Sequence, residues 1–143
     1  MACRNNQSKL AFYAKFKTTF QPEPYLLMSS FGLRQKLAKF RCSNHRLRIE
    51  TGRHIKTPKS ERICMVCNKN EIETEEHFIR TCSLYDQIRE RNIGVLNSFN
   101  WMTCLCPKTT PDAYKLAKFL TSADLLREKT LLANKNTHLS ILV

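Results

Sequence analysis

The chain has 143 residues, 42% hydrophobic and 25% charged, with only three glycines and a formal net charge of +12. That is the length of one ordinary domain with one modest core, and the scarcity of glycine argues against an all-β or low-complexity chain. The polar start, MACRNNQSKL, has no apolar h-region, no apolar stretch approaches the roughly 18 residues a membrane span needs, and the seven cysteines are odd in number. Secretion, membrane insertion and a disulfide framework are therefore disfavoured, and reduced thiols or metal ligands in a nuclear or cytoplasmic protein are expected.

In chain order, the first patterned segment is LAFYAKFKTTF, where Phe12, Tyr13, Phe16 and Phe20 are interleaved with Lys15 and Lys17. It reads equally as a short strand over Leu10 to Lys17 or as a helix. Its rings suit core packing better than stacking on unpaired bases. The Gln21-Pro22-Glu23-Pro24 stretch breaks this segment, because proline removes a donor and biases its predecessor away from helix. Between Tyr25 and Cys42, Leu33, Leu37 and Phe40 share one helical face, with Arg34, Lys36, Lys39 and Arg41 on its flanks and back, which predicts an amphipathic helix with a basic exterior. Ser43-Asn44 marks a turn, His45 to Glu50 continues as a short helix ending near Gly52, and Thr57-Pro58-Lys59-Ser60 is a loop.

The next stretch, ICMVCNKNEIETEEHFIRTC, has the spacing C-x2-C-x9-H-x4-C. Two cysteines separated by two residues close a knuckle around one ion, with thiolates about 2.3 Å from zinc. Asn68 follows the second, where a left-handed conformation is useful and asparagine tolerates it. Nine intervening residues, mostly polar and acidic, let the chain leave and return, so that His77 and Cys82 complete a tetrahedron with Cys64 and Cys67. Three thiolates and an imidazole select zinc over magnesium or calcium. A full protein ligand set leaves no open position, so a structural site is expected, with no catalytic role for Glu75 or Glu76. Arg62, Lys69 and Arg80 are placed to offset the local charge of the zinc-bound site. Cys104 and Cys106 are rival ligands whose C-x-C spacing fits one closed knuckle less well; they, Cys3 and Cys42 read as buried thiols, and His45, His54 and His138 as solvent-facing or hydrogen-bonded.

Beyond Cys82, Leu84 and Ile88 stack one turn apart, with Val95 and Leu96 near the same face, predicting a helix over about 83–93 that breaks at Gly94. Thr110-Pro111-Asp112 opens a helix over about 111–121, and a second from Asp124 is predicted to bury Leu125, Leu126, Leu131 and Leu132. The expected fold is mainly α, with a central zinc knuckle: a basic helical segment over 1–62, the metal element over 63–83 and a helical tail over 84–143 within one compact domain.

Charge is uneven along this organisation. Residues 1–62 hold 14 lysines and arginines against three glutamates, a balance of +11, whereas 63–143 hold 10 against nine acids, a balance of +1. Within 34–62, Arg34, Lys36, Lys39, Arg41, Arg46, Arg48, Arg53, Lys56, Lys59 and Arg62 are dense enough to attract a phosphate backbone and release its counterions, so RNA or DNA is the expected partner.

The order SKLAFYAKFKTTF, EPYLLM, LRQKLAKFRCSNHRLRIETGRH, ERICMVCN, EEHFIRTCSLYDQIR resembles the carboxy-terminal zinc-binding region of LINE-type (non-LTR) retrotransposon reverse transcriptases, over about 8–92. The cysteine–histidine element, with acids just before His77-Phe78, is the most specific part. The resemblance implies a helical module that follows the polymerase thumb and helps hold template RNA or target DNA during target-primed synthesis, with Cys64, Cys67, His77 and Cys82 as ligands. The polymerase itself has no counterpart here, since there is no Tyr-x-Asp-Asp or comparable acidic pair and too few residues for fingers and palm. A non-catalytic fragment is expected, acting alone or with a reverse transcriptase or other retroelement protein. The alternative is a zinc-stabilised protein-interaction adaptor without a nucleic-acid role. A zinc deaminase would need His-x-Glu ahead of its cysteines, and the acids of a restriction-like nuclease are matched too loosely by Asp112 and Glu128-Lys129.

Overall fold

A computed structural model describes residues 8–97 and 100–141, apart from the side chains of 139 and 141, so Cys3 lies outside the described residues. Regular structure is almost all helical. The α-helices are α1 (Tyr13–Phe16), α2 (Phe31–Arg41), α3 (Arg48–His54), α4 (Asp86–Asn92), α5 (Trp101–Cys104) and α6 (Thr110–Ile141). Short 3-10 turns occupy Pro24–Leu27, Lys59–Glu61 and Ser83–Tyr85, and a π-helical turn spans His77–Thr81. Among the described residues the one β pairing is an antiparallel bridge between Ile63 and Ile72.

The first segment is therefore helical, which settles the strand-or-helix ambiguity and removes the strand over Leu10 to Lys17. The reason is ring packing. At helical spacing Phe12 and Phe16 meet edge to face with centroids 5.2 Å apart, and Phe12 stacks on Trp101 at 6.2 Å. The helix stops short of Phe20, which is fully exposed.

Ser30 caps α2, accepting the Leu33 N–H, and Leu37 and Phe40 are buried as the pattern predicts. At its far end Ser43 adopts a left-handed φ of 55°, with Ser43 N–H donating to Phe40 O (3.0 Å) and Asn44 N–H to Lys39 O (2.8 Å). This is a Schellman cap, and α3 ends in the same way at Lys56 (φ 58°), with Thr57 N–H on Gly52 O. α3 thus runs past Gly52, where the sequence suggested an end.

The predicted pair of tail helices is one helix of 32 residues. Thr109 caps it, its hydroxyl accepting the Asp112 N–H (3.2 Å) and donating to the Asp112 carboxylate (2.7 Å), and the expected break near 122–124 does not occur. The junction Thr121-Ser122-Ala123-Asp124 contains neither proline nor glycine. Leu116, Leu120, Ala123 and Arg127 instead form one unbroken buried stripe through it. That register turns Leu125 and Leu132 outward, contrary to the expected burial, and leaves Leu126 and Leu131 half-buried.

α6 packs against α2 and α4. At the centre, the Phe78 ring of the π turn touches Phe40, Tyr85 and Phe119, with centroids 5.7, 4.8 and 5.9 Å away. Segments on both sides of the cysteine–histidine element thus share one core with it. Charge is also interior. Arg41 is 1% exposed, forks onto the Glu23 carboxylate at 2.6 and 2.7 Å, and lies over the rings of Tyr13, Phe16 and Tyr25. Arg41 is therefore not part of the basic exterior predicted for α2. No helix among the described residues is long and apolar enough to cross a membrane.

Candidate metal centre

The element from Arg62 to Cys82 folds as a miniature hairpin followed by one helical turn. Cys64 N–H donates to Glu71 O (2.8 Å) and Glu73 N–H to Arg62 O (2.9 Å), bracketing the Ile63–Ile72 bridge. The turn between them carries Cys67. Its left-handed residue is Asn70 (φ 54°), not Asn68 as the sequence suggested, because the chain reverses immediately before Glu71 rejoins the bridge.

His77 and Cys82 are five residues apart, which in an α-helix places side chains about 140° apart around the axis. The π turn resolves this. Cys82 N–H reaches back to His77 O (2.7 Å), widening the turn so that both side chains face the hairpin, while Phe78 and Ile79 point into the core. Thr74 starts the turn by accepting the His77 N–H at 3.0 Å.

The result is a cluster in which the sulfurs of Cys64, Cys67 and Cys82 and a ring nitrogen of His77 all lie within 4.8 Å of one another, a group that could hold a metal ion. All four residues expected as ligands come together. Cys104 and Cys106 are not in the cluster: burial pushes the Cys104 thiol up to about 12, and Cys106 Sγ lies 3.5 Å from Phe16 O. No disulfide joins the described cysteines.

The surroundings orient this donor set. His77 Nε2 is 3.4 Å from Cys67 Sγ, while Nδ1 lies 2.8 Å from Glu71 Oε2 and 2.9 Å from Thr81 Oγ1. A carboxylate only accepts, so Nδ1 carries the hydrogen and the Nε2 lone pair faces the sulfurs, the tautomer a metal requires. The main-chain N–H groups of Val66, Lys69 and Leu84 act to lower the thiol pKa of Cys64, Cys67 and Cys82 respectively. The hydrogen bond from Cys82 is the main reason the Cys64 thiol is held down to about 3, and the same contact drives Cys82 up. Burial raises Cys67. Without a cation, then, only one of the three sulfurs ionises readily, whereas a central dication stabilises all three as thiolates. Burial works against a charged His77, but its bonds to Cys64 and Glu71 outweigh that and raise its pKa, and Glu71 is correspondingly held below the usual carboxylate range by His77.

Several residues around the site carry no signal of their role in the spacing motif. Glu73, 1% exposed, accepts two bonds from Arg127 of α6 (2.7 and 2.9 Å) and one from the Arg48 main chain (2.7 Å). Glu75 accepts from Ser43 and contacts His45 Nε2 at 3.1 Å. Arg89, buried under the π turn, donates to Ile79 O (2.6 Å) and Cys82 O (3.0 Å). The only legible trace was the acidic run itself, four glutamates within 71–76. Two of the cations expected to offset the site's charge are committed elsewhere: Arg62 donates to Ile49 O and Thr57 O, and Arg80 pairs with Glu76. Lys69 donates to Thr81 O, beside Cys82, one of the ligands expected from the sequence.

The ten basic residues expected to meet nucleic acid divide sharply. Lys39, Arg46, Lys56 and Lys59 are exposed, Arg46 lying 3.7 Å from Glu128. Arg34 donates to Met28 O, Lys36 pairs with Asp124, Arg48 contacts Met65 Sδ, Arg53 pairs with Glu50, and Arg62 holds the two carbonyls already named. Arg41 is interior. Comparison with protein-family models, with curated proteins and with solved structures gives no match.

Proposed function

We propose that this chain is a zinc-stabilised, non-catalytic module that binds RNA or DNA, of the kind implied by its resemblance to the carboxy-terminal zinc-binding region of LINE-type reverse transcriptases. The observation that carries the reading is the Cys64, Cys67, His77 and Cys82 cluster, built into the core and already oriented by Glu71 and Thr81. Three sulfurs and an imidazole favour zinc, and four protein ligands leave no position for a reactive water, so the ion's role is structural. The net charge of +12, and the exposed Lys39, Arg46, Lys56 and Lys59 within it, support a polyanionic partner. In this reading the chain works in the nucleus or cytoplasm, alone or beside a reverse transcriptase or other retroelement protein.

The test is metal content after purification without chelator, paired with fluorescence anisotropy against single-stranded RNA and DNA at two salt concentrations. One zinc per chain, lost in Cys64→Ser, together with salt-sensitive binding, supports the proposal. Arg46→Ala should then weaken binding to all sequences alike and flatten the salt slope by about one unit. Zinc without binding favours a protein-interaction adaptor, for which the outward-facing Leu27, Phe31, Leu125 and Leu132 speak. Absence of zinc overturns both readings.

A further inference from the structure

Within 34–62, Arg41 is interior and Lys36, Arg46 and Arg53 are paired with carboxylates, so the free cations elsewhere gain weight. Three cavities, of about 500, 360 and 590 Å³, open around the loop between α5 and α6, and Lys108 of that loop lines all three. The first lies between the end of α1 and the loop, with Lys15 and Lys17 at its side; the third lies between the end of α4 and the start of α6, with Arg91 and Lys115. Their charged lining is five cations against two acids, Glu23 and Asp112. Both acids are already engaged. Glu23 is gripped by Arg41 and Lys17, and Asp112 by the Thr109 hydroxyl and Lys115. Lys15, Arg91 and Lys108 are exposed and have no carboxylate partner among the described residues.

Between these charges the lining is mixed: Phe16 and Met102 supply apolar surface beside Thr18, Thr19 and Gln21 in the first cavity, and Ile93 and Leu96 do so beside Asn92 and Asn100 in the third. Cations combined with apolar surface for stacking and with amide and hydroxyl groups for base edges match a chain of phosphates carrying planar, unstacked bases. A duplex presents its bases stacked and paired, with nothing to place in such recesses. A single phosphorylated small molecule would occupy one cavity and leave the cations of the other unused.

We propose that a single strand of RNA or DNA crosses the α5–α6 loop at Lys108, with phosphates on Lys15, Arg91 and Lys108 and bases in the flanking cavities. This rests on the nucleic-acid reading above and adds where the strand lies. The site is outside the 34–62 segment, so the two can be told apart by mutation.

The experiment measures anisotropy of a labelled single-stranded 12-mer over a salt series with the zinc-loaded full chain. It compares wild type, Lys15→Ala/Arg91→Ala/Lys108→Ala, and the charge-matched Lys39→Ala/Lys56→Ala/Lys59→Ala. All six residues are exposed, so both triple variants should keep wild-type zinc content and melting temperature. The expected result is at least a tenfold greater loss of affinity in the first triple variant, with its log–log salt slope lowered by about two, from roughly 0.7 per phosphate contact. Lys108→Glu alone should weaken binding more than Lys56→Glu. Equal losses in the two triple variants would mean that binding follows net charge, and would overturn the assigned site while leaving the proposed function standing. Failure of the zinc-loaded wild type to bind any single strand at low salt would overturn both.

Discussion

Glu73→Ala removes a carboxylate that satisfies three donors at once, Arg127 Nε, Arg127 Nη2 and the Arg48 main-chain N–H. What remains is a guanidinium only 7% exposed and without its counter-charge, and an unsatisfied N–H at the first turn of α3. Burial opposes the charge on Arg127, and the hydrogen bond it donates to Glu73 is what more than restores it. Deleting one partner of a buried ion pair costs about 3–5 kcal/mol. The stranded N–H shares the same cavity, so its cost does not add in full. Against a total stability of about 5–15 kcal/mol, that loss is large, and for a domain of this size it corresponds to a melting temperature lower by roughly 10–20 °C. The assay is urea unfolding at fixed free zinc, followed by far-UV circular dichroism. Glu73→Gln combined with Arg127→Met keeps an acceptor for the Arg48 N–H and removes the stranded charge, so it should recover most of the loss. A Glu73→Ala protein within about 1 kcal/mol of wild type, below the cost of the broken buried pair, would refute the reasoning, as would a double variant no more stable than the single one.

Other expectations follow from the same geometry. Gly52→Ala would normally gain helix propensity, but the new Cβ would lie 2.7 Å from Arg62 Cγ, and the Arg62 guanidinium is pinned to Ile49 O and Thr57 O. A destabilisation of about 1–3 kcal/mol in urea unfolding is expected instead. Glu71→Ala leaves His77 Nδ1 with Thr81 alone, and zinc affinity measured by chelator competition should fall about 10–100-fold with the fold retained. Glu23 is held below its ordinary value of 4.5, first by the hydrogen bond from Arg41. Its contribution is therefore present above that value and lost as pH falls through the lowered one, so the stability gap between wild type and Glu23→Gln should be constant near neutrality and close in acid.

How legible the fold was depended on whether a feature is local. The α2 face of Leu37 and Phe40, the turn at Ser43 and the start of α6 at Thr110-Pro111 are decided within a few residues, and the structure has them where the pattern put them. The continuity of α6 is not local. Polar residues at 121, 122 and 124 resemble an interruption until Ala123 and Arg127 are seen to extend the stripe that packs on the core. Likewise the aromatic segment around Phe12 fits either period, and its helix is fixed by Trp101 and Phe40, which lie far along the chain.

The cysteine–histidine cluster was legible because four converging donors require a spacing, and that spacing is visible in the sequence. The basic face was less legible because charge carries no mark of its partner. Arg41 and Lys39 carry the same charge, yet Arg41, one turn on from Leu37 at the border of the apolar face, is buried against Glu23 and three rings while Lys39, on the opposite side of α2, is exposed. The difference is that a buried guanidinium needs a carboxylate brought from elsewhere, and Glu23 follows a proline break that sequence reading treats only as a boundary. The same holds at the acidic run 71–76, which looks like a solvated linker between ligands. There Glu71 orients His77, Glu73 anchors Arg127 and Glu75 meets His45, so the residues between the cysteines and the histidine tie the metal element to helices on both sides. A charge-rich stretch inside a metal motif is thus better read first as a set of missing partners, and the surface that remains for a ligand is what those partners leave unpaired.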